Sequence, residues 1–247
     1  MRMDRAAASL ELKLIGERIS KRISAGRTLA KSAWNPKTME LPPGQRLLVI
    51  SPHPDDDAIG CGGTIIKALS QGRKVKVAYL SLPLFGASSR QERRNEATDA
   101  LAHLGVQEYY LPEGEFPDTV EKTRMVIKDA VRGWAPDCVL VPSPLENHEQ
   151  HLMAFEAYLD LLREEKGLVT VLYEVWGMII PNLVVDITMQ AERKGQAIAA
   201  HASQVRMVDY VSMARALNEY RAISSGIKGQ AEAFLCLDSK QLLDLFR

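Results

Sequence analysis

The chain predicts an α/β fold in which a mostly parallel central sheet carries helices on both faces. Three observations predict it. Apolar stretches of strand length alternate with longer stretches of helical pattern, and repeated β-then-α units of this kind build parallel sheets with short right-handed crossovers. The length, 247 residues, suits one such domain with a substantial core. Two of the strand candidates end in loops rich in ionisable side chains, as expected where ligands bind outside the carboxyl ends of strands in open α/β sheets.

The elements follow in order. Residues 1–44 read as a basic amphipathic extension. Arg2, Arg5, Lys13, Arg18, Lys21, Arg22, Arg27, Lys31 and Lys37 outnumber Asp4, Glu11, Glu17 and Glu40, and Leu10, Leu12, Leu14, Ile15, Ile19 and Ile23 recur with a partly helical spacing. Pro42-Pro43-Gly44 ends this segment. A single domain then spans 45–247, with strands expected at 46–51, 74–81, 108–111, 138–142 and 168–175. Helices are expected at 61–71, 89–104, 118–134, 149–164, 188–201 and 209–225. Residues 183–187 and 231–237 read as later strands that extend an edge. Residues 81–89, with Pro83, Gly86, Ser88 and Ser89, read as a mobile loop at the mouth of the site.

The most informative stretch is Ser51-Pro52-His53-Pro54-Asp55-Asp56-Asp57, between the apolar run Leu47–Ile50 and the turn Gly60-Cys61-Gly62-Gly63. An imidazole and three carboxylates in one loop are costly to bury without partners, and a divalent metal is such a partner. A catalytic metal needs about three protein ligands and an open position. The chain has five histidines, and two stand together in Asn147-His148-Glu149-Gln150-His151 after the run Val139–Val141. If the two strands are neighbours, His53, Asp56 and a histidine of the second loop form a His-Asp-His set. On an extended segment the side chains of Asp55 and Asp56 diverge, so one carboxylate binds the metal and the other faces the water. Without a metal, the first loop reads as a Pro–Asp turn that caps the next helix. The glycines match neither G-x-G-x-x-G nor the Walker A spacing and read as close backbone packing beneath the site.

These residues resemble the PIG-L/LmbE-like de-N-acetylases. His53-Pro54-Asp55-Asp56, the glycine turn and the later His-x-x-His pair carry the resemblance. Further stretches agree: Arg93-x-x-Glu96 leading to Leu104-Gly105; Tyr173-Glu174-Val175-Trp176 with Pro181-Asn182 and Val185-Asp186; and Lys194-x-x-Ala197 with His201-Ala202-Ser203-Gln204. The resemblance covers about residues 45–237 and implies a Rossmann-like three-layer sandwich. It also implies a metal-dependent hydrolase that removes acetyl from an N-acetylglucosamine-type sugar on a larger conjugate. By the same resemblance His53, Asp56 and His151 ligate Zn2+, with Fe2+, Co2+ or Mn2+ as alternatives. Asp55 is then the general base, His148 stabilises or protonates the tetrahedral intermediate as an imidazolium, and Arg93 helps hold the sugar. Trp176 either lines the substrate cleft or packs the core, Arg93 is otherwise a solvated helix face, and His201 is either near the site or an ordinary helix residue. His103 reads as structural. Two positions depart from the family pattern: Asp57 stands where Glu is usual, and Glu149-Gln150 where Pro-Asp is usual. A thiol-conjugate amidase with the same site, or a catalytically weak sugar- or partner-binding protein, are the rival readings.

Composition narrows the partners. Formal net charge is zero, which argues against nucleic acid. Cys61, Cys138 and Cys236 form no Cys-x-x-Cys pair and no disulfide framework. Cys138 and Cys236 read as small core residues. No continuous apolar stretch approaches transmembrane length, and charges interrupt any signal-peptide core near the N-terminus. A cytoplasmic protein is expected. Its N-terminal extension either packs on the domain or a second subunit, or makes peripheral membrane contact, and homo-oligomerisation is left open.

Overall fold

The computed structural model describes residues 36–87, 89–165 and 167–246. The amphipathic pattern expected over the first 35 residues lies outside them. The remainder forms an eight-stranded sheet: β1 (Lys37–Met39), β2 (Arg46–Ser51), β3 (Lys74–Tyr79), β4 (Glu108–Tyr110), β5 (Cys138–Pro142), β6 (Val169–Tyr173), β7 (Leu183–Asp186) and β8 (Ala231–Asp238). Their spatial order is β1-β7-β8-β6-β5-β2-β3-β4. All neighbouring pairs are parallel except those of β8, which runs antiparallel to β6 and β7. The strands expected at 183–187 and 231–237 therefore do extend the sheet beyond β6. Beyond them lies β1, a short exposed edge strand within the segment assigned to the extension; it has no apolar run to announce it.

The helices are α1 (Asp56–Ser70), α2 (Arg90–Leu104), α3 (Val120–Trp134), α4 (Glu149–Leu161), α5 (Ala191–Ala199), α6 (Ala202–Val205), α7 (Tyr210–Ser224) and α8 (Ser239–Leu245). They form two outer layers, because successive strand residues point to opposite faces. Leu47, Val49, Cys138 and Leu140 pack one core with Ile65 of α1, Leu101 of α2 and Ile198 of α5. Leu48, Ile50, Val139 and Val141 pack the other with Ile127 of α3, Phe155 of α4 and Leu242 of α8. Strands buried on both faces need continuous apolar runs, and β2 and β5 supply them. Among the cysteines, Cys61 and Cys138 are buried and Cys236 is half-buried.

The strand order places the site. From β2 the chain moves one way to β3 and β4, whereas β5 returns to the other side of β2 and continues to β6. The order reverses between β2 and β5, and such a switch point opens a crevice at the carboxyl ends of the strands. Both polar loops leave from those two ends.

The first helix departs from expectation. It begins at Asp56, five residues before the predicted start, and runs through the glycine cluster with a break at Cys61 (φ −146°, ψ 17°). The break frees backbone N–H groups inside the helix. Glu232 of β8 accepts them, from Gly63 and Thr64 at 2.8 Å each, and also pairs with the buried Lys194 Nζ at 2.7 Å. A carboxylate thus caps the restarted helix as at any helix N-terminus. The glycines allow close approach: a Cβ on Gly60 would lie 2.3 Å from the Tyr173 ring, and one on Gly63 would lie 2.7 Å from Ile187. Removal of Glu232 strands a buried ammonium and two N–H donors. Glu232→Ala is expected to cost about 3–5 kcal/mol in urea unfolding, and an unchanged midpoint would refute this role.

Candidate metal centre

The loop after β2 is a tight turn built from its own polar groups. Ser51 Oγ donates to the His53 carbonyl at 2.7 Å and accepts from the Asp57 N–H at 3.2 Å, and the His53 N–H donates to Asp56 Oδ2 at 2.9 Å. Asp55 adopts φ 130°, a region that non-glycine residues enter only under constraint from their surroundings. The segment is therefore not the extended one that the sequence suggested. The unusual backbone of Asp55, followed at once by the first turn of α1, is what sends the Asp55 and Asp56 carboxylates to different partners.

From the loop after β5, His148 is the N-cap of α4 and His151 lies in its first turn. The two loops meet. Asp56 Oδ2 is 3.1 Å from His53 Nδ1 and 3.1 Å from His151 Nε2, and those two nitrogens are 3.3 Å apart. Ligands held about 2.0–2.1 Å from one ion at tetrahedral or octahedral angles stand roughly 2.8–3.4 Å from one another. The three donors match that spacing. The rings of His53, His148 and His151 also cluster, with one donor nitrogen of each within 4.8 Å of the others. That wider set leaves His148 standing off, exposed at the rim, 4.8 Å from the His53 ring by centroid.

Surrounding groups fix which nitrogens face the centre. His53 Nε2 meets Gln150 Oε1. An amide oxygen only accepts, so Nε2 carries the proton and Nδ1 is free for a metal. His151 Nδ1 faces Glu146 Oε2 at 3.3 Å, which leaves Nε2 for the centre. Partners of this kind orient ligating imidazoles. Glu146 is fully buried and also accepts the N–H groups of Val175, Trp176 and Gly177 at 2.8, 2.9 and 3.2 Å. Sequence reasoning missed Glu146; its one signal was an acidic residue five positions before His151 in the same loop. Gln150, one of the two departures from the family pattern, has a definite task here. Asp57, the other, is buried and accepts from the Tyr79 hydroxyl at 3.0 Å, so its shorter side chain is anchored to β3.

Electrostatics sort the carboxylates. Burial opposes ionisation of Asp56, but His151 and His53 outweigh it and hold this carboxyl well below the usual range. Burial, together with the charge of Asp56, pushes Asp55 up to about 6 despite Arg93. Burial also pushes Asp57 up to about 7, with Asp55 and Asp56 adding to the rise and Tyr79 opposing it. His151 is lifted to about 10: burial works against its charge, and Asp56 and Glu146 prevail. For His148, partial burial and the neighbouring imidazoles push the value below the ordinary one. Its Nδ1 accepts the Gln150 N–H at 3.3 Å. With Nδ1 accepting, Nε2 is the nitrogen that can carry a proton, and the lowered value favours the neutral ring.

Two further expectations change. Arg93 does not open onto a cleft where a sugar could reach it. It is 1% exposed and its guanidinium is committed inward, to Asp55 Oδ2 at 3.1 Å, Glu96 Oε2 at 3.3 Å, His201 Nδ1 at 3.1 Å and the Pro54 carbonyl. It holds Asp55 and the turn around it. His201 lies behind Arg93, fully buried, and burial with the adjacent guanidinium drives it down to about 3, so it is neutral and accepts from Arg93. Trp176 is 39% exposed and packs edge-to-face on Tyr210 at 5.6 Å, at the surface and not in the core. His103 is exposed on α2. The loop after β3 is tied to the site by Ser81 Oγ, which donates to the Pro52 carbonyl at 2.7 Å. A cavity of about 340 Å³ between α5 and α7, lined by Lys194 and Asn218 among others, contains none of these residues; donor geometry, not concavity, marks the centre.

The same segments are matched in known proteins. The profile of a family described as PIG-L: GlcNAc-PI de-N-acetylase matches residues 48–162, which enclose both loops. A diacetylchitobiose deacetylase of Thermococcus kodakarensis is 30% identical, over 65% of this chain and 70% of its own length. A conserved protein of Thermus thermophilus superposes with TM-score 0.69 and 25% identity, covering 76% of this chain and 93% of that one. The N,N'-diacetylchitobiose deacetylase of Pyrococcus horikoshii, in complex with an inhibitor, gives TM-score 0.70 at 24% identity, covering 80% and 85%, and supports the fold. Among the described residues, no helix is long and apolar enough to cross a membrane. On the strength of the match to the Thermococcus relative and the family segment that encloses both polar loops, this chain belongs to the PIG-L family.

Proposed function

We propose that the protein is a metal-dependent N-deacetylase that removes acetyl from an N-acetylglucosamine-type sugar on a larger conjugate. The observation that carries this reading is the triangle of His53 Nδ1, Asp56 Oδ2 and His151 Nε2, with sides of 3.1, 3.1 and 3.3 Å, in a chain whose relative acts on diacetylchitobiose. The donor set of two imidazoles and one carboxylate suits Zn2+ and also admits Fe2+, Co2+ or Mn2+. When bound, such an ion supplies Lewis-acid activation of water and of the amide carbonyl.

The chain's own residues supply the rest. Asp55 lies beside Asp56 but is held away from the triangle by Arg93, so it is the carboxylate free to take a proton from the attacking water. General-base help of this kind contributes about 10²–10⁴-fold. His148, neutral and exposed at the rim, presents Nε2–H to the carbonyl oxygen as negative charge develops there. Arg93 is a positioning residue for Asp55. Gln150 and Glu146 keep His53 and His151 in the ligating tautomers. Both departures from the family pattern are engaged in this arrangement, which favours catalysis over a binding-only protein. A thiol-conjugate amidase would use the same groups, and its product tells the two apart: free acetate identifies the deacetylase.

The direct test is acetate release from a panel of N-acetylglucosaminides by protein loaded with defined metals; no release from any member rejects the proposal. Asp55→Asn is expected to retain one metal per chain while losing about 10²–10⁴-fold in kcat, and His151→Ala to lose the metal. Wild-type turnover in the first variant, or unchanged metal content in the second, would contradict these assignments. The pH dependence follows from Asp55. Its raised value means that it gains a proton at higher pH than an ordinary carboxylate, so activity falls on the acid side, and a bound cation shifts that limb to about pH 6 or below. Arg93 opposes the rise, so Arg93→Gln should move the acid limb of kcat/KM upward; a limb that stays in place would remove Arg93 from this role. Metal binding must also displace the proton that Asp56 and Glu146 hold on His151. Calorimetric titration with Zn2+ in buffers of different ionisation enthalpy should return about one proton released per ion at pH 7, and none released would show that His151 carries no proton before the metal binds.

A further inference from the structure

The cavity between α5 and α7 is lined by none of the metal-centre groups. Its volume, about 340 Å³, falls in the range of small-molecule pockets. Its floor is buried and its mouth is open. Lys194 of α5 and Asn218 of α7 are 2% and 4% exposed, whereas Glu192 and Arg215, which also line it, are exposed. Two observations mark it as more than a gap in packing. The first is Asn218, whose buried Oδ1 has no hydrogen-bond partner among the described residues. A buried amide oxygen without a donor is costly, and such an atom in a folded protein calls for an explanation. The second is Gly195. It stands inside α5, where glycine is less favourable than alanine. Close packing does not require it, because an added Cβ would meet nothing within 4 Å. Gly195 belongs to the wall of the cavity, and its missing side chain keeps that wall back.

The lining indicates the ligand. Asn218 Oδ1 calls for an N–H or O–H donor. The Lys194 ammonium has three donors, and Glu232 Oε1 takes one of them at 2.7 Å. A hydroxyl both donates and accepts, so hydroxyl groups suit both side chains. Gln230 adds a second amide to the lining, and Ile198 and Ala214 give it apolar wall for C–H groups. The two cations are matched by carboxylates, Lys194 by Glu232 and Arg215 by Glu219 at 2.8 Å, so the cavity does not concentrate positive charge on an anion. The carboxylate of Glu192 sits at the exposed mouth, where water screens it. These features favour a neutral ligand.

We propose that the cavity between α5 and α7 is a second binding site, for a neutral polyhydroxylated ligand of monosaccharide size, with Asn218 accepting from and Lys194 donating to its hydroxyl groups. The site goes beyond the deacetylase reading and stands independently of it. It is nonetheless joined to the metal centre through protein. Lys194 pairs with Glu232, which caps the restarted α1, and the first residue of α1 is Asp56.

The test is calorimetric titration of the full chain with D-glucose, which has no acetyl group and cannot react, and separately with sodium sulfate and D-glucosamine. D-Glucose is expected to saturate one site per chain with a Kd of about 1 mM. Asn218→Leu, which removes the amide, and Gly195→Leu, which fills the cavity, should each weaken that binding about tenfold or more. His148→Ala, at the rim of the metal centre, should leave it unchanged. Gly195→Leu adds its side chain where nothing stands within 4 Å of the new Cβ, so its thermal midpoint should equal or exceed that of the wild type; if Asn218→Leu does not fold, Gly195→Leu decides alone. No saturable binding of D-glucose to the wild type would overturn the proposal and leave the cavity to water. Binding that survives Gly195→Leu, or that is lost in His148→Ala, would place the sugar elsewhere and overturn it equally. Sulfate that binds, or D-glucosamine that binds about tenfold more tightly than D-glucose, in either case abolished by Gly195→Leu, would overturn the assignment of a neutral ligand.

Discussion

One carboxylate oxygen, Asp56 Oδ2, stands between two imidazole nitrogens, and most of the architecture serves to keep it there. His53 is three residues before Asp56 and arrives with the same turn. His151 is brought by a different strand, and only the reversal of strand order between β2 and β5 sets the two loops side by side. The glycine cluster lets α1 leave the sheet under Tyr173 and Ile187, and Glu232 closes the break that this path opens in the helix. The imidazoles are held on the side away from the centre, His53 by Gln150 and the buried His151 by Glu146, and the buried Asp56 Oδ2 also accepts the His53 N–H.

Around this set the protein divides closely similar groups into different states. Three consecutive aspartates have three partners: the imidazoles for Asp56, Arg93 for Asp55 and Tyr79 for Asp57. The division starts in the backbone, with the positive φ of Asp55, and is maintained by the buried side chains of Arg93, Tyr79 and His151. Arg93, Glu96 and Ser203 form a buried chain behind Asp55, in which Ser203 donates to Glu96 through both its N–H and its hydroxyl at 2.6 Å. A carboxylate oriented from behind in this way loses little freedom on meeting a ligand.

Much of this was legible in the sequence, for physical reasons. Strands buried on both faces have to be apolar throughout, so β2 and β5 stood out as Leu47–Ile50 and Val139–Val141, and the loops beyond them stood out by their charge. What was hidden was non-local. Glu146 acquires its place only because three N–H groups near Trp176, some thirty residues on, converge on it. The early start of α1 was obscured by four residues that read as a turn, and the carboxylate that makes a helix feasible there is 169 positions away from Gly63. Arg93 looked like a solvated helix face or a substrate contact because helical spacing does not reveal which side of α2 meets Pro54 and Asp55. The edge strand β1, three exposed residues, carries no local signal at all.

The centre of the account is that three particular atoms, His53 Nδ1, Asp56 Oδ2 and His151 Nε2, hold one divalent cation while His148 does not. Anomalous diffraction at the zinc edge from crystals of the metal-loaded protein tests this most directly. The account predicts a single peak about 2.0–2.2 Å from each of those atoms, with the His148 ring outside bonding distance. A peak bonded to His148 in place of Asp56, or no peak between the two loops, would contradict it.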